Sequence, residues 1–143
     1  GISTDRRDAR KRMLFARFGI QEFAQVRVRD LSTGMKQKVS LVISLVQDPE
    51  IIIFDEPTNG LDILTAKVVT DFLLDLKEQG KTIIISTHIF SLVEKICDRV
   101  GIIINGRMAA CEDLRTLCGD KSLEDRFFEI YEAVNGEDEN HDK

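Results

Sequence analysis

The sequence has no apolar run long enough to cross a lipid bilayer. A transmembrane helix needs about 20 consecutive apolar residues, and every apolar stretch of this 143-residue chain is far shorter. The sequence also shows no signal-peptide pattern. We therefore expect any role at a membrane to depend on a partner protein that itself spans the bilayer.

Cysteine is scarce and scattered. Cys97, Cys111 and Cys118 are the three cysteines of the chain, and no two of them have Cys-x-x-Cys spacing. This pattern argues against a metal cluster and against a disulfide framework. It indicates ordinary thiols in the reducing environment of the cytoplasm.

A phosphate-binding loop is also missing. Such a loop has the pattern Gly-x-x-x-x-Gly-Lys-Ser/Thr between a strand and a helix, so that backbone amides wrap the phosphates. Gly80, Lys81 and Thr82 imitate its end, but Asp75 occupies the position of the first glycine. These residues also follow a helical pattern and precede a strand pattern, so Gly80 is predicted to end a helix.

Composition and charge indicate a compact globular chain with a basic end. Hydrophobic residues make up 43% of the sequence, which is enough for one core, and charged residues make up 31%. Ten Lys and Arg stand against four Asp and Glu in residues 1–40. Apolar residues interrupt these charges, so a solvated helix face is favoured over a surface for nucleic acid or anionic lipid.

Two adjacent carboxylates, Asp55 and Glu56, directly follow the apolar run at residues 51–54. The run predicts a buried parallel strand, whose C-terminal end is where open α/β sheets bind ligands. One carboxylate can then face a metal and the other a water, as in hydrolases of Mg-nucleotides. The alternative is a buried strand followed by a polar turn.

Polar residues also flank two further apolar segments. Ser32 precedes an amphipathic segment at residues 39–47, where it is a plausible N-cap. With Gly34 and the free amides of the first helical turn it would form an anion site. A second strand pattern begins at residue 82 and ends in Ser86, Thr87 and His88, whose imidazole could reach the same phosphate.

In this order and spacing, the segments resemble the ATP-binding cassette (ABC) family of ATPases over residues 25–110. Residues 31–35 resemble the signature motif, residues 51–56 the Walker B motif, and residues 59–62 the D-loop, while His88 resembles the switch histidine. Thr33 and Met35 depart from the usual glycine and glutamine. Both variants occur among exporter-type members.

The resemblance implies an α/β fold: a partial P-loop NTPase (RecA-like) three-layer fold with a mostly parallel sheet, plus part of the helical subdomain of ABC proteins. Residues 1–48 would belong to that subdomain, with a helix at residues 4–18, and residues 49–135 to the C-terminal part of the ATPase core. Residues 136–143 are predicted to be a disordered acidic tail. The chain would then be the C-terminal part of a nucleotide-binding domain, as its start on Gly1 rather than methionine also suggests.

Periodicity and turn residues predict the remaining elements. Asn105-Gly106 is the favoured two-residue hairpin turn. The predicted elements are a helix at 62–79, a short helix at 89–97, a hairpin of strands 100–104 and 107–111, and a terminal helix at 123–134.

The resemblance also assigns catalytic roles. Asp55 would hold Mg²⁺, through water because Mg²⁺ gives up its hydration shell reluctantly. Glu56 would be the general base for attack on the γ-phosphate of ATP, and His88 would hydrogen-bond that phosphate. A purely structural alternative is that His88 satisfies a buried carbonyl.

A second group of residues would act across a dimer. Ser32, Thr33, Gly34 and Met35 would bind the γ-phosphate of the ATP held by a second nucleotide-binding domain, because family members sandwich two nucleotides head to tail. Asp62 would lie at that interface. The alternative is that Ser32 and Asp62 only cap their helices.

The expected function is that of an ATP-binding and ATP-hydrolysing subunit, with ATP and Mg²⁺, that powers a membrane transporter, and export is favoured over import. Its partners would be a second nucleotide-binding domain and a transmembrane permease, which would hold it at the cytoplasmic face of the membrane. We expect no direct contact with nucleic acid, and we expect the chain alone to be inactive. The alternatives are a soluble ABC-type ATPase acting on nucleic acid or the ribosome, and a non-catalytic dimerisation or regulatory module.

Overall fold

A computed structural model describes residues 3–138. The chain divides into two compact units, Gly1–Thr87 and His88–Lys143. The predicted boundary between residues 48 and 49 therefore lies inside the first unit. None of the helices in the described part of the chain is both long and apolar enough to cross a membrane.

The described residues of the first unit form three helices and two strands. Its helices are α1 (Thr4–Phe18), α2 (Thr33–Leu45) and α3 (Ile63–Glu78), and its strands are β1 (Ile51–Asp55) and β2 (Thr82–Ser86). Two short 3-10 turns, Ile20–Phe23 and Val28–Asp30, lie between α1 and α2. The predicted helix at residues 4–18 is confirmed, whereas α2 ends at Leu45 and not at residue 47.

Side-chain caps and apolar packing explain these helices. Ser3 caps α1 by accepting a hydrogen bond from the amide of Arg6, and Gly19 ends it with φ 65°, a left-handed conformation that favours glycine. Leu14 of α1 and Leu73 of α3 are fully buried. Phe18 of α1 meets Phe72 of α3 edge to face, with ring centroids 5.3 Å apart.

The strands β1 and β2 form a parallel pair that is buried on one face only. Ile52 and Phe54 are buried, whereas Ile51, Ile53 and Ile84 are 62%, 71% and 53% exposed. We call these last three residues the isoleucine face. The prediction that residues 51–54 form a parallel strand is confirmed, and the expectation that this strand is buried holds for Ile52 and Phe54 but not for Ile51 and Ile53. Among the described residues of the first unit, no element covers the isoleucine face.

The second unit is built around a hairpin. Its elements are α4 (Phe90–Ile96), β3 (Arg99–Ile104), β4 (Arg107–Asp113), α5 (Leu114–Cys118) and α6 (Leu123–Asp138). Asn105 and Gly106 have φ angles of 50° and 74°, as the predicted Asn-Gly turn requires. Ile102, Ile104, Leu117 and Leu123 form its buried core.

The last helix is longer than predicted. α6 continues past residue 134 to Asp138, so it includes residues 136–138 of the segment that we expected to be disordered. The rest of that predicted tail, residues 139–143, lies outside the described residues.

The expected α/β fold is confirmed. Among the described residues, the strands form two two-stranded sheets, one parallel (β1 and β2) and one antiparallel (β3 and β4).

Candidate functional site

The two carboxylates lie at the C-terminal edge of the parallel pair. β1 ends at Asp55 and β2 ends at Ser86, and the register places these two residues opposite each other. The hydroxyl of Ser86 donates a hydrogen bond to Oδ1 of Asp55. The hydroxyl of Thr87 donates to Oε2 of Glu56 at 3.1 Å. Each of the two carboxylates at the end of β1 therefore accepts from a hydroxyl at the end of β2.

Glu56 leaves the strand with an unusual backbone. Its φ angle is 46°, in the left-handed region that non-glycine residues seldom adopt. Its amide still donates to the carbonyl of Ser86 at 2.9 Å, so the parallel ladder continues one residue past Asp55. Such conformations persist only where the surrounding structure enforces them, and they are concentrated at functional sites.

A tight turn follows the carboxylates. Pro57 and Thr58 are buried, and the amide of Asn59 donates to the carbonyl of Glu56 at 3.1 Å. Gly60 has φ 71°, which a residue with a Cβ adopts only with strain. This turn connects the end of β1 to the start of α3.

The signature-like segment forms the N-terminus of α2. Ser32 is the N-cap, as predicted, and its hydroxyl accepts from the amide of Met35 at 3.2 Å. Ser32 and Thr33 are exposed, and no acidic residue lies in the first turn of α2. The positive end of the helix dipole is therefore open to an anion.

The N-terminus of α2 packs against the turn that precedes α3. A Cβ at Gly34 would lie 3.8 Å from the carbonyl oxygen of Gly60 and 3.8 Å from Cδ2 of Leu61. A Cβ at Gly60 would lie 3.6 Å from Cγ2 of Thr33. The segments at residues 31–35 and 59–62 are therefore neighbours in the same molecule.

Asp62 caps α3. Its Oδ1 accepts from the amide of Thr65 at 3.0 Å, and its Oδ2 accepts from the Thr65 hydroxyl at 2.7 Å. The side-chain hydrogen bond from Thr65 lowers the pKa of Asp62, and the bond from the Thr65 amide adds to that effect. Asp62 thus caps α3, as expected if its role is to cap a helix. Its role at a dimer interface stays a prediction.

His88 belongs to the second unit, of which it is the first residue. Its side chain is exposed, and it directly follows Thr87, the last residue of the first unit. Its contact with a phosphate stays a prediction. The structure thus brings Asp55 and Glu56 together at one edge, and it brings residues 33 and 34 together with residues 60 and 61.

The carboxylates suit Mg²⁺ better than a metal held entirely by protein ligands. Mg²⁺ keeps several waters and is bound by one or two carboxylates together with substrate phosphates. Asp55 is exposed at the strand end, and no group of three or more His, Cys, Asp or Glu that could hold a metal occurs among residues 3–138. One or two solvent-exposed carboxylates fit this kind of coordination.

Two features of this region were not predicted from the sequence. The hydroxyls of Ser86 and Thr87 were recognised only as the end of a strand, and the register of β1 and β2 was needed to pair them with the carboxylates. Ile63 and Leu64 are 88% and 77% exposed beside Asp62. Their position in the first turn, outside the apolar periodicity of α3, could have indicated this exposure.

Comparison with known proteins finds similarity to ABC transporter ATP-binding proteins. The family model described as "ABC transporter" matches residues 3–59. The ABC transporter ATP-binding protein NatA of Bacillus subtilis is 38% identical over 125 residues, which are 87% of this chain and 51% of that protein. A fluoroquinolones export ATP-binding protein of Mycobacterium tuberculosis is 37% identical over 99 residues, which are 69% of this chain and 33% of that protein.

Solved structures extend the similarity to the fold. A structure of an ATP-binding subunit of an ABC transporter superposes with a TM-score of 0.85 and 30% identity, covering 91% of this chain and 56% of that one. A dimeric post-hydrolysis state of an ATP-binding cassette, bound to ADP and Pi, gives a TM-score of 0.69 and 26% identity over 80% of this chain and 50% of that one. This chain thus spans about half the length of these proteins or less.

Proposed function

We propose that this chain, a member of the family of ABC transporter ATP-binding proteins, forms part of an ATPase subunit that powers export through a membrane permease. The observation that carries the proposal is the C-terminal edge of β1 and β2, where Asp55 and Glu56 lie side by side. The export protein among the relatives supports the direction of transport. The permease would hold the subunit at the cytoplasmic face of the membrane.

The chemistry follows from the two carboxylates. Glu56 accepts a proton from a water as the oxygen of that water bonds to the γ-phosphorus of ATP. The bond from the γ-phosphorus to the bridging oxygen then breaks, which releases ADP and phosphate. Asp55 would hold Mg²⁺ through water, and Mg²⁺, when bound, neutralises negative charge on the phosphates. His88 would hydrogen-bond the γ-phosphate.

The second part of the proposal concerns a partner cassette. Ser32, Thr33, Gly34 and Met35 would receive the γ-phosphate of the ATP bound by a second nucleotide-binding domain, and Asp62 would lie beside that contact. The exposed N-terminus of α2 supports this assignment, as does the dimeric state of one structural neighbour. The apolar residues exposed beside Asp62 would be covered by the partner.

We place the phosphate-binding loop in the part of the cassette that this chain does not span. The 143 residues contain no Gly-x-x-x-x-Gly-Lys-Ser/Thr pattern. They contribute the metal ligand, the base and the groups that act on the partner's nucleotide, but not the backbone cradle for the phosphates. By itself, the chain would therefore be inactive.

Substitution of the two carboxylates in the full-length protein tests the proposal. Glu56→Gln keeps the shape of the side chain but cannot accept the proton, so we expect turnover to fall by about 100-fold or more while Mg-ATP still binds. Asp55→Asn should instead weaken the Mg²⁺-dependent part of nucleotide binding. Glu22→Gln, the same change at an exposed position of the first unit, is the control. Parental turnover in Glu56→Gln would show that Glu56 is not the base.

A further inference from the structure

We propose that Thr87 is a positioning residue for Glu56, which it would hold in the orientation needed to accept the proton of the attacking water. This inference rests on the proposed function, because it assigns Thr87 a task only if Glu56 is the base. The carrying observation is the hydrogen bond from the Thr87 hydroxyl to Oε2 of Glu56, at 3.1 Å.

The backbone of Glu56 makes an orienting contact necessary. At φ 46° the residue no longer follows the alternation of β1, so the pleat of the strand does not fix the direction of its side chain. Glutamate is also among the side chains with the most rotamer freedom. A general base must stay within hydrogen-bonding reach of the proton that it abstracts. A fixed donor on the neighbouring strand meets that requirement.

Thr87 is well placed to be that donor. The amide of Glu56 donates to the carbonyl of Ser86 at 2.9 Å, so the backbone ladder fixes the strand next to Glu56 up to the residue before Thr87. Threonine is branched at Cβ, which restricts χ1 and so limits where its hydroxyl can point. Ser86 makes the equivalent bond to Asp55. The end of β2 thus supplies one hydroxyl to Asp55 and one to Glu56.

The bond also leaves room for the chemistry. An ionised carboxylate accepts only and has about four lone-pair positions, so one hydroxyl occupies a fraction of its capacity. The Thr87 hydroxyl donates to the ionised form, which is the form that acts as a base. A hydrogen bond to a charged group is among the stronger side-chain contacts. Its loss should therefore lower the rate by about tenfold.

The test uses the full-length protein with three threonine variants. Thr87→Val replaces the hydroxyl by a methyl group and keeps the branched shape, whereas Thr87→Ser keeps the hydroxyl. Thr82→Val is the matched control, because Thr82 is exposed at the opposite end of β2, roughly 16 Å away along the strand. We expect Thr87→Val to lower kcat about tenfold, while KM and the calorimetric Kd for Mg-ATP stay at the parental values. Thr87→Ser should restore most of kcat, and Thr82→Val should match the parent.

A double-mutant cycle separates positioning from a general structural effect. In the Glu56→Gln background, Thr87→Val should cause no further loss of turnover, because the group that it positions is no longer a base. If Thr87→Val does not fold, Thr87→Ala takes its place in the same cycle.

Four results would overturn the proposal: parental kcat in the variant without the hydroxyl, no rescue by serine, independent effects in the cycle, or a loss of Mg-ATP affinity as large as the loss of kcat. Failure of the proposed function looks different, because Glu56→Gln would then turn over at the parental rate.

Discussion

Replacing Asp48 by asparagine should destabilise the first unit, because this carboxylate joins three parts of it. Asp48 lies between α2 and β1, directly upstream of the strand that carries Asp55 and Glu56. Its carboxylate lies 3.2 Å from Arg6 and 3.1 Å from Arg10, both on α1, and 3.2 Å from Lys81, which precedes β2. Asparagine keeps the shape and tolerates the φ of 54° at this position, so the substitution removes mainly the charge.

The expected magnitude follows from the exposure of the ion pairs. The Arg6 side chain is 68% exposed, so its pair with Asp48 should contribute little. The side chains of Arg10 and Asp48 are both only 14% exposed. Breaking a fully buried pair costs about 3 to 5 kcal/mol, and an exposed pair is worth about 1 kcal/mol or less. For this partly exposed cluster we expect a loss of about 2 kcal/mol in the free energy of unfolding.

The effect should depend on pH in a defined direction. Burial raises the pKa of Asp48, but the hydrogen bond from Lys81 and the positive charges of Arg10, Lys81 and Arg6 outweigh it, so the pKa is lowered. A carboxyl with a lowered pKa in the folded state stabilises that state above its unfolded pKa, which is about 3.9. The contribution is lost as the pH falls through the lower, folded pKa. The difference between parent and variant should therefore be constant from about pH 5 to 7 and shrink below about pH 4.

Denaturant titration followed by circular dichroism at several pH values measures the free energy of unfolding and its dependence on pH. In a thermal melt at pH 7, the midpoint should fall by about 6 °C, at roughly 3 °C per kcal/mol for a chain of this size. Asp71→Asn is the control, because Asp71 pairs with Lys67 on the exposed surface of one helix. A loss in Asp48→Asn no larger than that of the control would refute the argument that Asp48 holds these segments together. So would a difference that persists unchanged at pH 2.

Two further predictions concern the 143-residue chain by itself. Calorimetric titration with Mg-ATP should give no tight binding, because the chain supplies no phosphate-cradling loop. Micromolar affinity would contradict the proposal that this loop lies in the part of the cassette that the chain does not span. Light scattering should show self-association through the isoleucine face, which Ile53→Thr should reduce by removing apolar surface while keeping a branched side chain. Ile103→Thr, at a similarly exposed isoleucine of the second unit, should leave association unchanged; a monodisperse parental chain would contradict this prediction.

Local signals predicted most of the secondary structure. The bounds of α1 agree with the helix that the family resemblance implied at residues 4–18, and the residues that cap it, Ser3 and Gly19, directly flank this segment. The hairpin was predictable because Asn105 and Gly106 suit a two-residue turn with positive φ. The carboxylates at the end of β1 could be placed because an apolar run with abrupt polar ends has few other interpretations.

Relationships between distant segments were not predictable in this way. The exposure of the isoleucine face depends on what else packs against the sheet, and the apolar pattern of a strand carries no information about that. Likewise, Asp48 gives no local sign that Arg10 and Lys81 surround it, because those residues are 38 and 33 positions away. Only the folded arrangement of α1, β1 and β2 brings these charges together.

The same distinction applies inside the candidate site. Asp55 and Glu56 could be recognised from the pattern of β1 alone, whereas their hydroxyl partners follow from the register between β1 and β2. A shift of that register by one residue would place Thr87 beside Asp55 or remove it from reach of both carboxylates, since each residue advances a strand by about 3.3 Å. The pairing of residues 51–55 with residues 82–86 therefore determines which hydroxyl each carboxylate accepts from. We expect substitutions that disturb this register to lower turnover even where they leave both carboxylates in the sequence.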